Sequence, residues 1–171
     1  MAFACARPDV DETPLPDEAP VRTADRLARA KANAVANVYS DALVIGSDQV
    51  ASCEGRRLDK PGTHEKAVEQ LSWLSGRAAR FDTGVCVLDT SNGRIESRVV
   101  PCEVHFRTLD PAAIETYLRR EQPYDCAGSA KSEGLGIVLI ARMDTEDPTS
   151  LIGLPLIALT SLLTGFGASL L

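Results

Sequence analysis

The sequence predicts an α/β fold, with strands and helices in one chain. Three observations lead there. Short continuous apolar runs, Ala42–Ile45 and Leu135–Ala141, read as strands buried on both faces. Segments with apolar residues three and four apart alternate with those runs and read as helices. Between them lie turn signals, Glu54-Gly55, Lys60-Pro61-Gly62 and Asn92-Gly93.

At 171 residues the expectation is one domain over 1–171, with room for a sizeable core. A net charge of −6 excludes a general basic footprint for nucleic acid, so no nucleic-acid partner is expected. A polyanionic ligand would have to meet a local cluster of Lys and Arg. An aromatic content of 5% argues against a base-stacking platform. Cys5, Cys53, Cys86, Cys102 and Cys126 are scattered and never form a C-x-x-C pair. That is the pattern of reduced thiols, mostly buried, in a cytoplasmic protein. His64 and His105 lie far apart, so the usual Cys/His spacing of a zinc site is missing.

In chain order, residues 1–20 hold five acidic residues and four prolines, an extended lead-in that does not read as a signal or transit peptide. Asp11 and Glu12 are either a solvated loop or hard oxygen ligands for Mg²⁺. From Val21 the pattern turns helical, with Ala24, Leu27, Ala28, Val35 and Val38 on one face. Lys31 beside that face is either a snorkelling lysine or a phosphate contact.

The next run, Ala42-Leu43-Val44-Ile45-Gly46-Ser47-Asp48-Gln49, is a buried strand, and Gly46 is where it can end or let another group come close. Asp48 is then expected just past its C-terminal end, where open α/β sheets bind ligands. A turn cap is the alternative for that carboxylate. Gly55 joins two short segments as a hairpin. Thr63 is a helix N-cap, with Glu65 in the first turn, and the helix buries Ala67, Leu71 and Leu74 up to Gly76. Trp73, near its end, is either a partly buried core residue or a base-stacking one.

Arg80–Asp89 and Arg94–Arg107 read as strands joined at Asn92-Gly93. Asp110-Pro111 opens a helix to about Arg120. Residues 121–134 form a long polar loop, and loops of that length are often functional. Leu135–Ala141 is the last expected strand. Beyond it, residues 151–171 carry no charge and are long enough to reach across a bilayer. Gly153, Pro155, Gly165, Gly167 and an acidic flank favour a buried helix over Pro155–Thr164, with no membrane partner; a membrane tail is the alternative.

Several of these pieces occur together in one family. Asp11-Glu12, the helix with Lys31, Gly46-Ser47-Asp48-Gln49, Lys60-Pro61, Ser75-Gly76-Arg77, Thr83-Gly84-Val85, Asp125-Cys126-Ala127-Gly128-Ser129, Lys131-Ser132-Glu133-Gly134 and Gly153-Leu154-Pro155 stand in that order. The chain thereby resembles the Maf-type nucleotide pyrophosphatases. Ser-Asp-Gln and Lys-Ser-Glu-Gly resemble the subgroup acting on 7-methylguanosine triphosphate.

The resemblance implies a mixed, twisted β-sheet with flanking helices, a fold shared with inosine-triphosphate pyrophosphatases and often found as a homodimer, and hydrolysis of a nucleoside triphosphate to monophosphate and pyrophosphate with Mg²⁺ or Mn²⁺. It implies Asp48 as catalytic base or metal ligand and Glu12 as a second metal ligand. Lys31, Lys60 and Gln49 would bind substrate, and Glu133 would accept N–H groups of the cationic methylguanine. The family also opens with a strand and a Ser/Thr-x-Ser-Pro-x-Arg-Arg loop leading into a helix, a phosphate cradle. Met1-Ala2-Phe3-Ala4 resembles the segment after that helix, so the domain is expected to be N-terminally incomplete. Two functions follow: an active pyrophosphatase, or a catalytically weak nucleotide-binding regulator of septum formation.

Overall fold

The computed structural model describes residues 3–170. Its elements are α1 (Pro20–Ala36), β1 (Leu43–Cys53), β2 (Arg56–Leu58), α2 (His64–Leu74), β3 (Ala78–Asp89), β4 (Ile95–Phe106), α3 (Pro111–Glu121), β5 (Ile140–Thr145) and α4 (Leu156–Gly165). The strands hydrogen-bond in the order β2-β1-β3-β4-β5, and β2 and β5 pair antiparallel with their neighbours. The architecture is the expected α/β one, a five-stranded sheet with four helices among the described residues. It divides into two compact units. The first comprises Met1–Gln49, Asp82–Val100 and Asp147–Leu171, the second Val50–Phe81 and Pro101–Glu146.

In the first unit β3 is apolar on both faces because a helix covers each. Cys86 and Leu88 of β3 and Val44 of β1 pack with Ala28 and Ala32 of α1. Val85 and Val87, one residue out of phase on β3, pack with Ala158, Leu159, Leu162 and Leu163 of α4. Each of these buried leucines contributes roughly 1.5–3 kcal/mol. The uncharged C-terminal segment thus forms a ten-residue helix, but one that buries only Ala158, Leu159, Leu162 and Leu163 and leaves Leu156 and Ile157 exposed, so the expected buried helix is half-exposed; no helix among the described residues is long and apolar enough to cross a membrane.

Alanines on α1 and glycines in the sheet let helix and strands approach closely. A Cβ on Gly46 would lie 2.2 Å from the Ala28 carbonyl oxygen, and one on Gly84 would lie 2.4 Å from that of Ala24. Of the two sequence readings of Gly46, the strand end fails and the close approach holds. Gly46 stays within the strand and seats the helix.

α4 has no side-chain cap of its own at Pro155. Asp147 supplies one from outside the helix: its Oδ2 accepts from the backbone N–H of Ile157 at 2.7 Å and of Ala158 at 3.1 Å. Thr149 holds the other oxygen at 2.8 Å. Burial disfavours the charged form of Asp147, yet these donors bring its pKa below the ordinary value.

In the second unit Glu54 (φ 49°) and Gly55 (φ 78°) form the tight β1–β2 turn. Thr63 caps α2, its hydroxyl accepting from Lys66 N–H at 3.3 Å, and Asp110 caps α3, accepting from Ala112 N–H at 2.8 Å. α2 packs against α3, and the two helices bury Ala67, Leu71 and Leu74 and Ile114, Tyr117 and Leu118, respectively.

The last strand differs from the sequence expectation. Leu135–Leu139 is a 3₁₀ turn, and β5 begins at Ile140. Gly136 decides this, because its Cα sits so close to the Lys131 backbone that a Cβ would lie 2.5 Å from the Lys131 oxygen. The turn it permits uses up the apolar residues, and the polar Arg142–Thr145 segment forms the edge strand instead.

Candidate active site

Strand periodicity puts Val44, Gly46 and Asp48 on one face of β1, the face covered by α1. Asp48 therefore lies inside β1, not beyond its end. The expectation of Asp48 past a strand end failed because Ser47, Asp48 and Gln49 read as loop residues, while each has a partner in the fold.

On α1 the close approach carries Lys31 to that carboxylate. Lys31 Nζ lies 2.6 Å from Asp48 Oδ1 and 2.7 Å from Glu12 Oε1. Asp48 is 10% exposed, Lys31 19% and Glu12 53%, so the cluster runs from the packed strand outward to solvent. Burial disfavours the ammonium, but the two carboxylates outweigh it and raise the Lys31 pKa above its usual value. Lys31 stays protonated throughout the physiological range.

The lead-in is pinned where it passes the helix. Arg26 clamps Glu18 through the Nε–Nη2 edge of its guanidinium, at 2.7 and 2.8 Å, and Nη2 also donates to Thr13 O at 3.2 Å. That fork, with Leu15 N–H and Thr23 helping, holds the Glu18 pKa down to about 2. Asp11 accepts from Thr13 N–H at 2.9 Å in a local turn, and its neighbour Glu12 is the residue that reaches Lys31. Arg26 and Glu18 carried no family signal. Only the helical spacing of Arg22, Arg26 and Arg29 beside an acidic lead-in hinted at them.

Gln49 and Ser47, on the opposite face of β1, brace the turn before α4. Gln49 Nε2 donates to Ser150 O at 2.9 Å and lies 2.9 Å from Thr83 Oγ1, while Ser47 Oγ lies 2.8 Å from Gly153 O. Lys60, in the second unit, is exposed and lines a concavity of about 310 Å³ with Arg56, Arg57, Asp59 and Lys66. Glu133 is also exposed there, in the turn after Lys131. That turn is fixed by Glu121, whose carboxylate accepts from Leu135 N–H at 2.8 Å. Trp73 is half-buried, with the Arg77 guanidinium 4.2 Å above its ring, which matches the core reading more closely than the stacking one.

The structure thus brings Glu12, Lys31 and Asp48 together in the first unit and places Lys60 and Glu133 in the second. Two carboxylates facing one cation are a donor set that fits Mg²⁺ or Mn²⁺, since both ions take hard oxygen ligands.

The family model for Maf-like protein matches residues 1–166. The chain belongs to the Maf family. It is 53% identical over 171 residues to the 7-methyl-GTP pyrophosphatase of Thiobacillus denitrificans, covering 100% of this chain and 85% of that protein. It is 52% identical to the one from Cupriavidus pinatubonensis, covering 98% and 84%, and 53% identical to the one from a Polaromonas species, covering 99% and 78%. The Maf assignment thus rests on sequence along nearly the whole chain.

Proposed function

We propose that this Maf-family chain hydrolyses 7-methyl-GTP to 7-methyl-GMP and pyrophosphate. The observation that supports it most is the Glu12–Lys31–Asp48 cluster, in a chain about half identical to proteins of that name. In this reading Asp48 takes a proton from the water whose oxygen attacks the α-phosphorus. The bond to the bridging oxygen breaks, and pyrophosphate leaves. Glu12 and Asp48 are the donors assigned to a Mg²⁺ or Mn²⁺ ion, which when bound supplies positive charge against the triphosphate. Lys31 and Lys60 add fixed positive charge for the phosphates.

Gln49 acts by holding the turn at Ser150 and orienting its neighbour Asp48. Glu133 accepts the N–H groups of the guanine, whose methylation makes the ring cationic and rewards a carboxylate. The proposed setting is the cytoplasm, which the five unpaired cysteines fit.

Pyrophosphate release from 7-methyl-GTP, GTP, dTTP and UTP with Mn²⁺ tests the assignment. The expected result is turnover favouring 7-methyl-GTP, with the preference over GTP falling several-fold in Glu133→Gln. Saturable nucleotide binding without pyrophosphate release would overturn the catalytic reading in favour of a nucleotide-binding regulator.

A further inference from the structure

A second group of metal-ligating side chains stands on the β4–β5 ladder. The antiparallel register sets Glu103 opposite Asp144 and His105 opposite Arg142. Residues two apart on a strand share a face, so all four side chains rise from the same side of the ladder. They meet at one atom. His105 Nε2 lies 3.0 Å from Glu103 Oε1, 3.1 Å from Asp144 Oδ2 and 3.1 Å from Arg142 Nη2. Ladder pairing shifts between His105 and Phe106, which faces Ile140, so the strand is irregular just where the imidazole is presented.

A single imidazole nitrogen cannot serve these neighbours together. If Nε2 carries a proton, it donates to one carboxylate and leaves the Arg142 N–H pointing at a donor. If it carries a lone pair, it accepts from Arg142 but faces two carboxylate oxygens with no hydrogen between. A divalent cation suits the arrangement better, because it draws on lone pairs from all three acceptors at once.

The spacing agrees. Donor atoms about 2.0–2.1 Å from a tetrahedral zinc lie about 3.3–3.4 Å apart. The imidazole nitrogen is already 3.0 and 3.1 Å from the two oxygens, and all three donor atoms lie within 4.8 Å of one another. Arg142, 65% exposed and 2.8 Å from Asp144, is on a long side chain with solvent to move into.

The geometry points to a binding site for a borderline divalent transition-metal ion, of the Zn²⁺ class, held by Glu103, His105 and Asp144. It differs in chemistry from the Glu12–Asp48 pair. One nitrogen and two oxygens select zinc or cobalt over Mg²⁺, whereas carboxylates alone do not. With three protein donors on an exposed face, the fourth position of the ion is open to water. Two carboxylates neutralise the charge of the ion, and the displaced Arg142 exchanges its pairing with Asp144 for hydration.

The test uses the full chain in millimolar Mg²⁺, which occupies hard oxygen sites, and titrates Zn²⁺ alone. The two histidines make the readout specific. The expected result is that the His105 ring signals shift by NMR with saturation near one ion per chain, while those of His64 do not, and that Tm rises by a few degrees. Glu103→Gln combined with Asp144→Asn, which keeps the shape of both side chains, should weaken Zn²⁺ at least tenfold, and His105→Ala should abolish the saturable phase. Unmoved His105 signals, or uptake of equal affinity in the shape-preserving double variant, would overturn the site.

Discussion

Two carboxylate pairs in this chain each close on one nitrogen, and they differ in what that nitrogen can do. Glu12 and Asp48 meet Lys31, an ammonium enclosed under a helix whose charge its neighbours reinforce. Glu103 and Asp144 meet His105, an imidazole on the solvent face of an edge ladder. The first pair is held by helix-to-sheet packing through glycines, the second by strand register. Similar acids thus give a permanently charged cluster of hard oxygen donors in one place and a nitrogen-bearing one in the other. Burial and the partner's chemistry set the difference, not the carboxylates.

The comparison can be broken most severely at Asp48. Asp48→Asn keeps the shape and removes the charge, and pyrophosphate release should fall 10²–10⁴-fold, about 3–5 kcal/mol of barrier, with little change in Tm. Full turnover with a lowered Tm would make Asp48 a structural partner of Lys31 alone.

Next in size is the packing that brings the first cluster together. Gly46→Ala puts a methyl 2.2 Å from the Ala28 oxygen, so α1 must move away from β1. Urea unfolding should show a loss of about 1–3 kcal/mol or more, and turnover should drop as Lys31 leaves Asp48. Unchanged stability would mean that α1 does not sit on Gly46.

A smaller effect sharpens the role of the ammonium. Lys31→Met leaves Asp48, 10% exposed, without its main cation. Thermal unfolding without metal should show a loss of about 1–3 kcal/mol, and millimolar Mn²⁺ should restore part of it by taking the ammonium's place. If Mn²⁺ restores nothing, Glu12 and Asp48 are not metal ligands.

The smallest effect is a pH dependence at the clamp. Glu18 has its folded pKa depressed to about 2, so its pairing contributes stability above the ordinary carboxyl pKa of 4.5 and loses it as pH falls towards 2. Wild type should exceed Arg26→Ala in Tm by a constant margin above pH 5, roughly half a unit past that ordinary value, with the margin shrinking below it. A margin independent of pH would mean that Arg26 contributes by packing.

The sequence made some of this legible and not the rest, for local reasons. Thr63, Asp110-Pro111 and Asn92-Gly93 act on the backbone within a few residues, and the structure has helix starts and a turn where they stand. The joining of Glu12, Lys31 and Asp48 depends on how closely α1 approaches the sheet, which is set by Gly46 and Gly84 and by no pattern of charge. β5 was misplaced because an apolar run is a weak strand signal when a glycine inside it fits only a turn. Arg26 and Glu18 look like ordinary surface charges until the lead-in is seen folded back along α1. Glu103, His105 and Asp144 are far apart in the chain, and only the ladder register brings them together.

The capping of α4 from a distance has a consequence for how the first unit opens. The donors at Ile157 and Ala158 are satisfied by Asp147, 2% exposed, while Thr149 ties the same carboxylate to the turn that Gln49 and Ser47 brace. The start of α4 cannot fray one residue at a time, because releasing either amide also releases the turn. The segment from Asp147 to Ala158 should therefore exchange its backbone protons for deuterium as one cooperative step, at the rate of a shared opening and not of helix-end fluctuations. Residue 147, a mere flanking charge when read along the chain, then governs how often the braced turn beside Asp48 comes apart.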